Sequence, residues 1–252
     1  MAQVAREKAL TKFREDKIQV LVATDARRKE VYWARYGRGT DGAATLTEQL
    51  QKAGYIEKLD PKDYPFDDFF PEFQKFPGHW SGNDLYSVIT RYGFLGVAYN
   101  TDAVSEAKAR SYRVYWDPAY KGKVGHFDWY LPNMGEISLL SGNKSPFNLS
   151  DPQFDKLKDT VKSLRPQVAG FFDYGGTFGG LKNGQLSLVC GIGDWITGVL
   201  ERDGAPVKSL VPKEGGIQFT ESWSIGKGSK NADMAKKFIQ YMMSPEGQVH
   251  SA

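Results

Sequence analysis

The sequence predicts an α/β protein in which short strands alternate with helices in layers. Two short apolar runs are predicted as strands, Lys17 to Thr24, which is rich in β-branched residues, and Val168 to Phe172. Other segments carry apolar residues at helical spacing, as Phe154, Leu157 and Val161 do. A chain of 252 residues is long enough for one large domain or two small ones.

In the first hundred residues, some segments have clear signals of secondary structure and others have none. Residues 2–16 are predicted as a helix, whereas residues 25–42 show no clear period. A helix at Thr45 to Ala53 begins with a capping box and ends before Gly54. Tyr86 to Asn100 has the apolar and aromatic composition of a strand.

The second half is predicted as a regular alternation of strands and helices. The predicted elements are a strand at 123–127, helices at 134–140 and from 150, a strand at 168–172, a helix at 178–183, a strand at 185–191 and a helix at 194–202. Tyr174 and the two glycines that follow it are interpreted as an ordinary turn, with a loop of a binding site as the alternative.

The bulk composition excludes several functions. A net charge of +3 is too small to indicate nucleic-acid binding without a localised basic stripe. The chain has no run of 18 apolar residues, so no membrane span is expected. The first residues lack the apolar core of a signal peptide, so we expect either a mature-form fragment or a chain that is not exported.

Residues Lys213 to Met243 are the most informative stretch. A Gly-Gly turn leads into a predicted strand at Gln218 to Ile225, and a polar break precedes an amphipathic helix. One side of that helix carries Met234, Phe238, Ile239 and Met242. This order resembles the return crossing of the spermidine/putrescine-type periplasmic solute-binding proteins of ABC transporters, in which the strand carries ligand-facing residues and the helix packs behind it.

Four earlier blocks resemble the same family in the same order. They are LTEQLQKAGYIEKLD at 46–60, NDLYSVITRYGFLGVAYNTDAV at 83–104, WDPAYKGKV at 116–124 and LKNGQLSLVCGIGD at 181–194. The resemblance implies a two-lobed periplasmic-binding-protein type 2 fold, with mixed sheets flanked by helices and a cleft between the lobes. It places lobe one at residues 1–100 and 208–252 and lobe two at residues 101–207.

The resemblance is interrupted near the two ends of the chain. The first strand of the family and its last helices have no counterpart in the sequence, so lobe one is expected to be incomplete at both ends. Residues 3–25 instead resemble a motif from the second domain of DEAD-box RNA helicases. Because no Walker A motif is present, we expect no helicase activity and interpret these residues as a scaffold segment of foreign or convergent origin.

The family resemblance implies a binding protein rather than an enzyme. The expected function is a periplasmic, monomeric receptor that captures a small polar or cationic ligand, polyamine-like in character, for an ABC permease in the membrane. No cofactor and no nucleic-acid partner are expected. The alternative is a truncated or chimeric chain that retains the fold without binding a specific ligand.

Candidate ligand residues follow from the chemistry of a polyamine, which needs carboxylates for its ammonium ends and aromatic faces for its methylenes. The resemblance implies Glu221 as an ammonium-binding carboxylate, Phe219 as a stacked aromatic and Asp194 as a second carboxylate. The alternatives are an exposed strand glutamate, a core phenylalanine and a helix cap, respectively.

Further candidates lie on other strand ends. The resemblance places Asp128 and Trp129 at the end of the first strand of lobe two and matches Tyr92 to a family aromatic. Trp195 is interpreted as either a wall of the site or a core residue. Arg91 suits a ligand that bears a carboxylate, with a plain surface arginine as the alternative.

One family position differs in a way that bears on ligand identity. The resemblance implies a second carboxylate three residues after Asp128, but that residue is Leu131. Either Asn133 and Glu136 compensate, or the ligand is a different small amine or organic solute.

Metal and nucleophilic chemistry have no support in the sequence. The three histidines lack ligand spacing, so no metal site is expected. The single cysteine, Cys190, lies in an apolar run and is interpreted as a small buried hydrophobe.

Overall fold

A computed structural model describes residues 19–25, 30–36, 46–76 and 78–251. Within these ranges the chain forms ten strands and nine α-helices. The strands are β1 Gln19–Asp25, β2 Glu30–Tyr36, β3 Trp80–Ser81, β4 Asp84–Leu85, β5 Val88–Asn100, β6 Val124–Phe127, β7 Val168–Phe172, β8 Leu188–Gly193, β9 Val207–Leu210 and β10 Ile217–Trp223. The helices are α1 Leu46–Lys52, α2 Pro71–Gln74, α3 Glu106–Ala109, α4 Tyr130–Leu140, α5 Asp151–Leu164, α6 Tyr174–Lys182, α7 Asp194–Arg202, α8 Ala232–Met242 and α9 Pro245–Ser251. Short 3₁₀ helices are Pro61–Asp63, Phe66–Asp68, Tyr112–Trp116, Pro118–Tyr120 and Arg165–Gln167.

The chain divides into two compact units. The first unit contains Met1–Arg91 and Thr220–Ala252, and the second contains Tyr92–Phe219. These divisions fall inside β5 and β10, whereas the boundaries expected from the sequence lie at the end of β5 and the start of β9. The difference arises because the later part of β5 pairs with β8 and β9 and therefore belongs to the second unit.

A mixed sheet organises the second unit. Its strands run in the order β10-β5-β8-β6-β7, with β9 also paired to β5. Strand β6 is parallel to β7 and β8, whereas β5 is antiparallel to β8 and β9. Because parallel strands end at the same edge of a sheet, the carboxyl ends of β6, β7 and β8 lie together. Each of them leads into a helix, α4, α6 or α7.

Two apolar clusters cover this sheet. One contains Tyr112, Tyr115, Leu157 and Leu164, and the other contains Phe127, Leu181 and Ile196. Helix α5 supplies the two leucines, as its apolar spacing predicts, and begins with a capping box formed by Ser150 and Gln153.

A β-bulge interrupts β8 near its carboxyl end. Gly96 of β5 is opposite Ile192, but Ala98 is already opposite Val189, so β8 contains an additional residue. Gly191 lies in this segment with φ +83°, a conformation that favours glycine. The predicted strand stops at this glycine, whereas the observed strand continues to Gly193.

The first unit has its own small core. Leu59, Leu85, Val88, Ile225 and Ile239 belong to one buried cluster. Two antiparallel bridges support it, one between Ile56 and Gly226 and one between Leu59 and Leu85.

Helix α8 buries less of its apolar side than its sequence predicts. Ile239 is 2% exposed, and Phe238 packs edge-on against Trp223 with ring centroids 5.2 Å apart. Met234 is 66% exposed, so its predicted place on the packed side is wrong. It lies in the first turn of the helix, five residues before the buried Ile239.

The amino-terminal part described in the structure is an antiparallel pair. Strand β1 overlaps the predicted strand at Lys17 to Thr24, and β2 forms in a segment without a clear hydrophobic period. The predicted helix at residues 2–16 and the cap at Thr45 lie outside the described residues. Among the helices that the structure describes, none is long and apolar enough to cross a bilayer.

Candidate ligand-binding site

Three aspartates mark the carboxyl ends of the parallel strands in the second unit. Asp128 follows β6, Asp173 follows β7 and Asp194 follows β8, and all three are exposed. Asp173 caps α6, because its Oδ1 accepts the Gly176 N–H at 2.8 Å. The edge of the sheet therefore carries several carboxylates, which suits a cationic ligand.

The Asp194 carboxylate accepts a backbone hydrogen bond on each of its oxygens. Its Oδ2 accepts the Phe94 N–H at 2.9 Å, and its Oδ1 accepts the Trp195 N–H at 2.8 Å. Gly193 occupies the N-cap position and Asp194 is the first helical residue, so the simple capping alternative does not describe it. Both donors are neutral amides, and they fix the carboxylate without cancelling its charge.

Phe219 meets this carboxylate at Gly93. A Cβ atom at residue 93 would lie 2.6 Å from the Phe219 ring and 2.8 Å from Asp194 Oδ1. Only glycine leaves room for the ring to approach the backbone so closely. The half-buried Phe219 thus lies beside the carboxylate, and its implied stacking role stays a prediction.

Aromatic side chains extend the site along the sheet edge. The Tyr174 ring lies 4.7 Å from Phe127 and 5.2 Å from Trp195, measured between ring centroids. Tyr174 is 52% exposed and Trp195 is 38% exposed. Trp195 is therefore not a core residue, and of its two interpretations only the wall of a site remains as a prediction.

Tyr174 itself corrects the sequence prediction of a turn. It is the first residue of α6, because the Asp173 cap starts a helix in which both following glycines are included. Gly-Gly after a tyrosine is a common turn signal, and the aspartate before it is the signal that identifies the helix start.

The remaining aromatic candidates differ in exposure. Tyr92 is exposed and packs edge-on to Phe94, with ring centroids 6.1 Å apart. Trp129 is half-buried and packs against the apolar cluster that contains Phe127. Its backbone carbonyl accepts a hydrogen bond from Asn133.

Glu221 lies in the first unit and is already paired. Arg91 Nε is 2.8 Å from Glu221 Oε2, and the guanidinium also donates to Oε1 at 2.8 Å. The Arg91 side chain is 46% exposed and that of Glu221 is 50% exposed. Arg91 therefore binds a carboxylate of this chain, where the sequence leaves open a carboxylate of the ligand.

Asn133 and Glu136 do not compensate for Leu131, and that hypothesis is wrong. Both side chains are buried in the second unit. Asn133 Nδ2 donates to the carbonyls of Phe127 at 2.8 Å and Trp129 at 2.7 Å. Glu136 is 0% exposed, and burial raises the pKa of its carboxyl to about 8. Neither group can reach a ligand at the surface.

Two of the histidines and the cysteine are buried inside the protein. His79 and His126 are buried, and burial lowers the pKa of each imidazole, to about 4 for His79. Cys190 is buried, as predicted, with Sγ 3.2 Å from Glu136 Oε2. Within the described ranges no group of three His, Cys, Asp or Glu side chains could hold a metal ion.

The structure thus separates the predicted site residues by unit. The second unit holds six of them, which are Phe219, Asp194, Trp195, Asp128, Trp129 and Tyr92, and the first unit holds Glu221. The sequence does not identify Gly93 or the role of Glu136, and it offers Tyr174 only as part of an alternative binding-site loop. Their importance depends on contacts between distant residues, for which a single sequence carries no local signal.

Comparison with known proteins defines the class. A family model described as bacterial extracellular solute-binding protein matches residues 15–251. The chain therefore belongs to this family, and it has the fold of the periplasmic binding proteins.

Individual relatives show the level of similarity. The spermidine/putrescine-binding periplasmic protein of Escherichia coli (strain K12) is 26% identical over 244 residues, which covers 92% of this chain and 68% of that protein. Two solved structures match 81% of this chain and 62% of theirs. They are the spermidine/putrescine ABC transporter substrate-binding protein PotD of Streptococcus pneumoniae, with a TM-score of 0.68 and 22% identity, and a putative spermidine/putrescine ABC transporter of Listeria monocytogenes, with a TM-score of 0.70 and 19% identity. This chain spans less than two thirds of either solved chain.

Proposed function

We propose that this protein captures a small cationic solute, polyamine-like in character, and delivers it to the permease of an ABC importer. One observation carries the proposal. The Asp194 carboxylate is fixed by two neutral amides beside the Phe219 ring, at an edge where Tyr174 and Trp195 are exposed. These are the groups that an alkyl-ammonium ligand requires.

Each end of such a ligand has a chemical partner in this site. An ammonium group donates to Asp194, whose two oxygens each retain a lone pair after accepting one amide hydrogen. Methylene groups pack on the faces of Phe219 and Trp195. Asp128 and Tyr92 are the proposed partners elsewhere in the second unit, and Glu221 is a proposed ammonium-binding carboxylate of the first unit.

The relatives support this assignment of the ligand class. The Escherichia coli protein is named for binding spermidine and putrescine, and the similarity extends over 92% of this chain. Such coverage favours a working receptor over a chain that retains the fold without a ligand. We further propose that the protein acts in the periplasm as a monomer and that its ligand leaves unchanged, since the relatives are transport proteins rather than enzymes.

Isothermal titration calorimetry with putrescine and spermidine tests the proposal. We expect saturable binding to a single site, and Asp194→Asn should weaken it by at least ~10-fold, since a hydrogen bond to a charged group contributes about 1.5–3 kcal/mol. Asp203→Asn, at the exposed opposite end of α7, is the matched control and should bind as the native protein does. Absence of saturable heat with both amines, from protein that is folded by circular dichroism, would refute the proposed ligand class.

A further inference from the structure

Two buried polar side chains of α4 connect the strand ends of the proposed site. Asn133 and Glu136 are three residues apart and therefore lie on one face of the helix. Asn133 Nδ2 donates to the carbonyls of Phe127 and Trp129, which flank Asp128 on both sides. Glu136 instead accepts the Gly191 N–H, which lies 3.1 Å from each carboxyl oxygen.

Gly191 is the residue through which Glu136 can influence Asp194. It belongs to the bulge of β8 and precedes Asp194 by three residues. A Cβ atom at residue 191 would lie 2.7 Å from the Asn133 side-chain amide, so the bulge is enclosed by the same two α4 side chains. Bulges of this kind redirect the end of a strand.

Asp194 is in turn tied to the neighbouring strand. Its carboxylate accepts the Phe94 N–H, and Gly193 is opposite Leu95 in the ladder between β8 and β5. A shift of the bulge would therefore move the Asp194 carboxylate relative to the Phe94 amide and to the Phe219 ring, which lies beside it at Gly93.

We propose that Asn133 and Glu136 are positioning residues for the ligand site, and that the protonation state of Glu136 sets ligand affinity through Gly191. This inference rests on the proposed function for its effect on binding. Its effect on the position of Asp194 does not depend on any ligand.

Glu136 is surrounded by groups that stay neutral, so no neighbouring charge compensates when its carboxyl ionises. The groups that face it are the hydroxyl of Tyr115 at 3.1 Å, the thiol of Cys190 at 3.2 Å and, farther away, Tyr112. Burial raises the pKa of each of these three groups, so they stay neutral where Glu136 titrates. His126, bonded to Asn133, has a pKa lowered by burial and is also neutral there.

The direction of the effect follows from the pKa of Glu136. With a value of about 8, the carboxyl holds its proton at neutral pH and loses it above that pH. The resulting charge is buried and faces only neutral groups, which is unfavourable unless the surroundings rearrange. Rearrangement at the bulge displaces Asp194, so affinity is expected to fall as Glu136 ionises.

Glu136→Gln separates this effect from other pH effects. Glutamine keeps the size and one oxygen acceptor but has no charge to gain. We expect the dissociation constant of putrescine to rise ~10-fold more in the native protein than in Glu136→Gln when each is carried from about pH 6 to about pH 9. Titration of the ligand amines is common to both proteins and cancels in this comparison. Equal changes in the two proteins would overturn the inference.

Glu201→Gln provides the matched control. Glu201 is an exposed carboxyl in the last turn of α7, paired at long distance with Lys208. This variant should retain the native pH profile of binding. A profile as flat as that of Glu136→Gln would mean that the loss of any carboxylate suffices, which contradicts the inference.

Nuclear magnetic resonance of the ligand-free protein supplies a second readout. The backbone amides of Gly191, Phe94 and Trp195 should titrate together near the pKa of Glu136 in the native protein and not in Glu136→Gln. Titration of Gly191 without Phe94 and Trp195 would show that the bulge does not move Asp194, and the inference would fail. If no amine binds at about pH 6, the proposed function fails, while this ligand-free result still decides the inference.

Discussion

The Arg91 guanidinium donates a hydrogen bond to each carboxylate oxygen of Glu221, with Nε 2.8 Å from Oε2 and a second nitrogen 2.8 Å from Oε1. The family resemblance implies Glu221 as an ammonium-binding carboxylate, yet the chain already supplies its cation. A cationic ligand at this position must share the carboxylate with Arg91. Because both side chains are about half exposed, the pair contributes little to folding and can be exchanged at small cost.

Neutralising Arg91 should therefore strengthen the binding of a diamine. We expect Arg91→Gln to lower the dissociation constant of putrescine roughly fivefold, which corresponds to an interaction of about 1 kcal/mol. Calorimetry measures the affinity, and urea denaturation should show a stability change below about 1 kcal/mol.

Arg110→Gln is the control for a general charge effect. Arg110 also pairs with a glutamate on the surface, Glu106, but through neighbouring turns of the chain. Its removal should leave the affinity unchanged. Weaker binding in Arg91→Gln would show instead that the guanidinium itself holds the ligand, as for a solute that bears a carboxylate.

Gly93 should tolerate no side chain without loss of binding. Gly93→Ala brings a methyl group into the space of the Phe219 ring and of Asp194 Oδ1. We expect a destabilisation of about 1–3 kcal/mol from this overpacking. We also expect at least ~10-fold weaker amine binding, because both displaced groups belong to the proposed site. Thermal melting and calorimetry measure the two effects.

Gly179→Ala is the matched glycine substitution. A Cβ atom at residue 179 would meet no atom within 4 Å, and the residue lies inside α6. We expect this change to raise stability by about 0.5–1 kcal/mol and to leave binding unaffected. If Gly93→Ala behaves in the same way, the contact with Phe219 does not constrain the site.

Because His79 is buried and neutral, we expect the folded protein to lose stability in acid. Its ring is buried with Nε2 3.0 Å from the Ser222 hydroxyl, and burial lowers its pKa to about 4. The unfolded chain, with a histidine pKa of about 6.5, binds the proton more readily than the folded chain does. The stabilising contribution is therefore complete above about pH 6.5 and is lost as the pH falls towards 4, by up to about 3 kcal/mol.

Urea denaturation at a series of pH values measures this loss. His79→Gln should remove that part of the acid dependence, since glutamine does not titrate. His250→Gln, at an exposed histidine that contacts Tyr241, should leave the native dependence in place. An unchanged acid dependence in His79→Gln would contradict the assignment.

The sequence predicts an element correctly where residues at its ends indicate its first and last positions. The strand at Val168–Phe172 and the helix at Asp194–Arg202 have the predicted bounds. The helix is followed by Gly204, whose φ of +81° suits the end of a helix. The prediction is wrong where two local signals conflict. After Asp173, the two glycines indicate a turn, whereas the aspartate indicates the start of a helix, and the structure has the helix.

The site could be predicted only in part. The family resemblance implies Asp128 and Asp194 as candidates, and each directly follows a strand in the structure. The contact of Gly93 with Phe219 joins residues far apart in sequence, and the buried carboxyl of Glu136 looks like any helix glutamate. Such relations depend on the folded backbone rather than on the local pattern of residue types.

The extra residue in β8 inverts the alternation of its side chains. Leu188 and Cys190 pack in one apolar cluster, whereas Val189 and Ile192 pack together in the other, although these last two are three residues apart. Regular alternation would place Ile192 with Leu188 and Cys190. Removing Gly191 alone would bring Ile192 two residues after Val189, so a regular strand would keep both in their present cluster and leave Asp194 on its present face. The extra residue therefore adds the backbone N–H that Glu136 accepts without changing the side of the sheet on which the ligand chemistry of this edge lies.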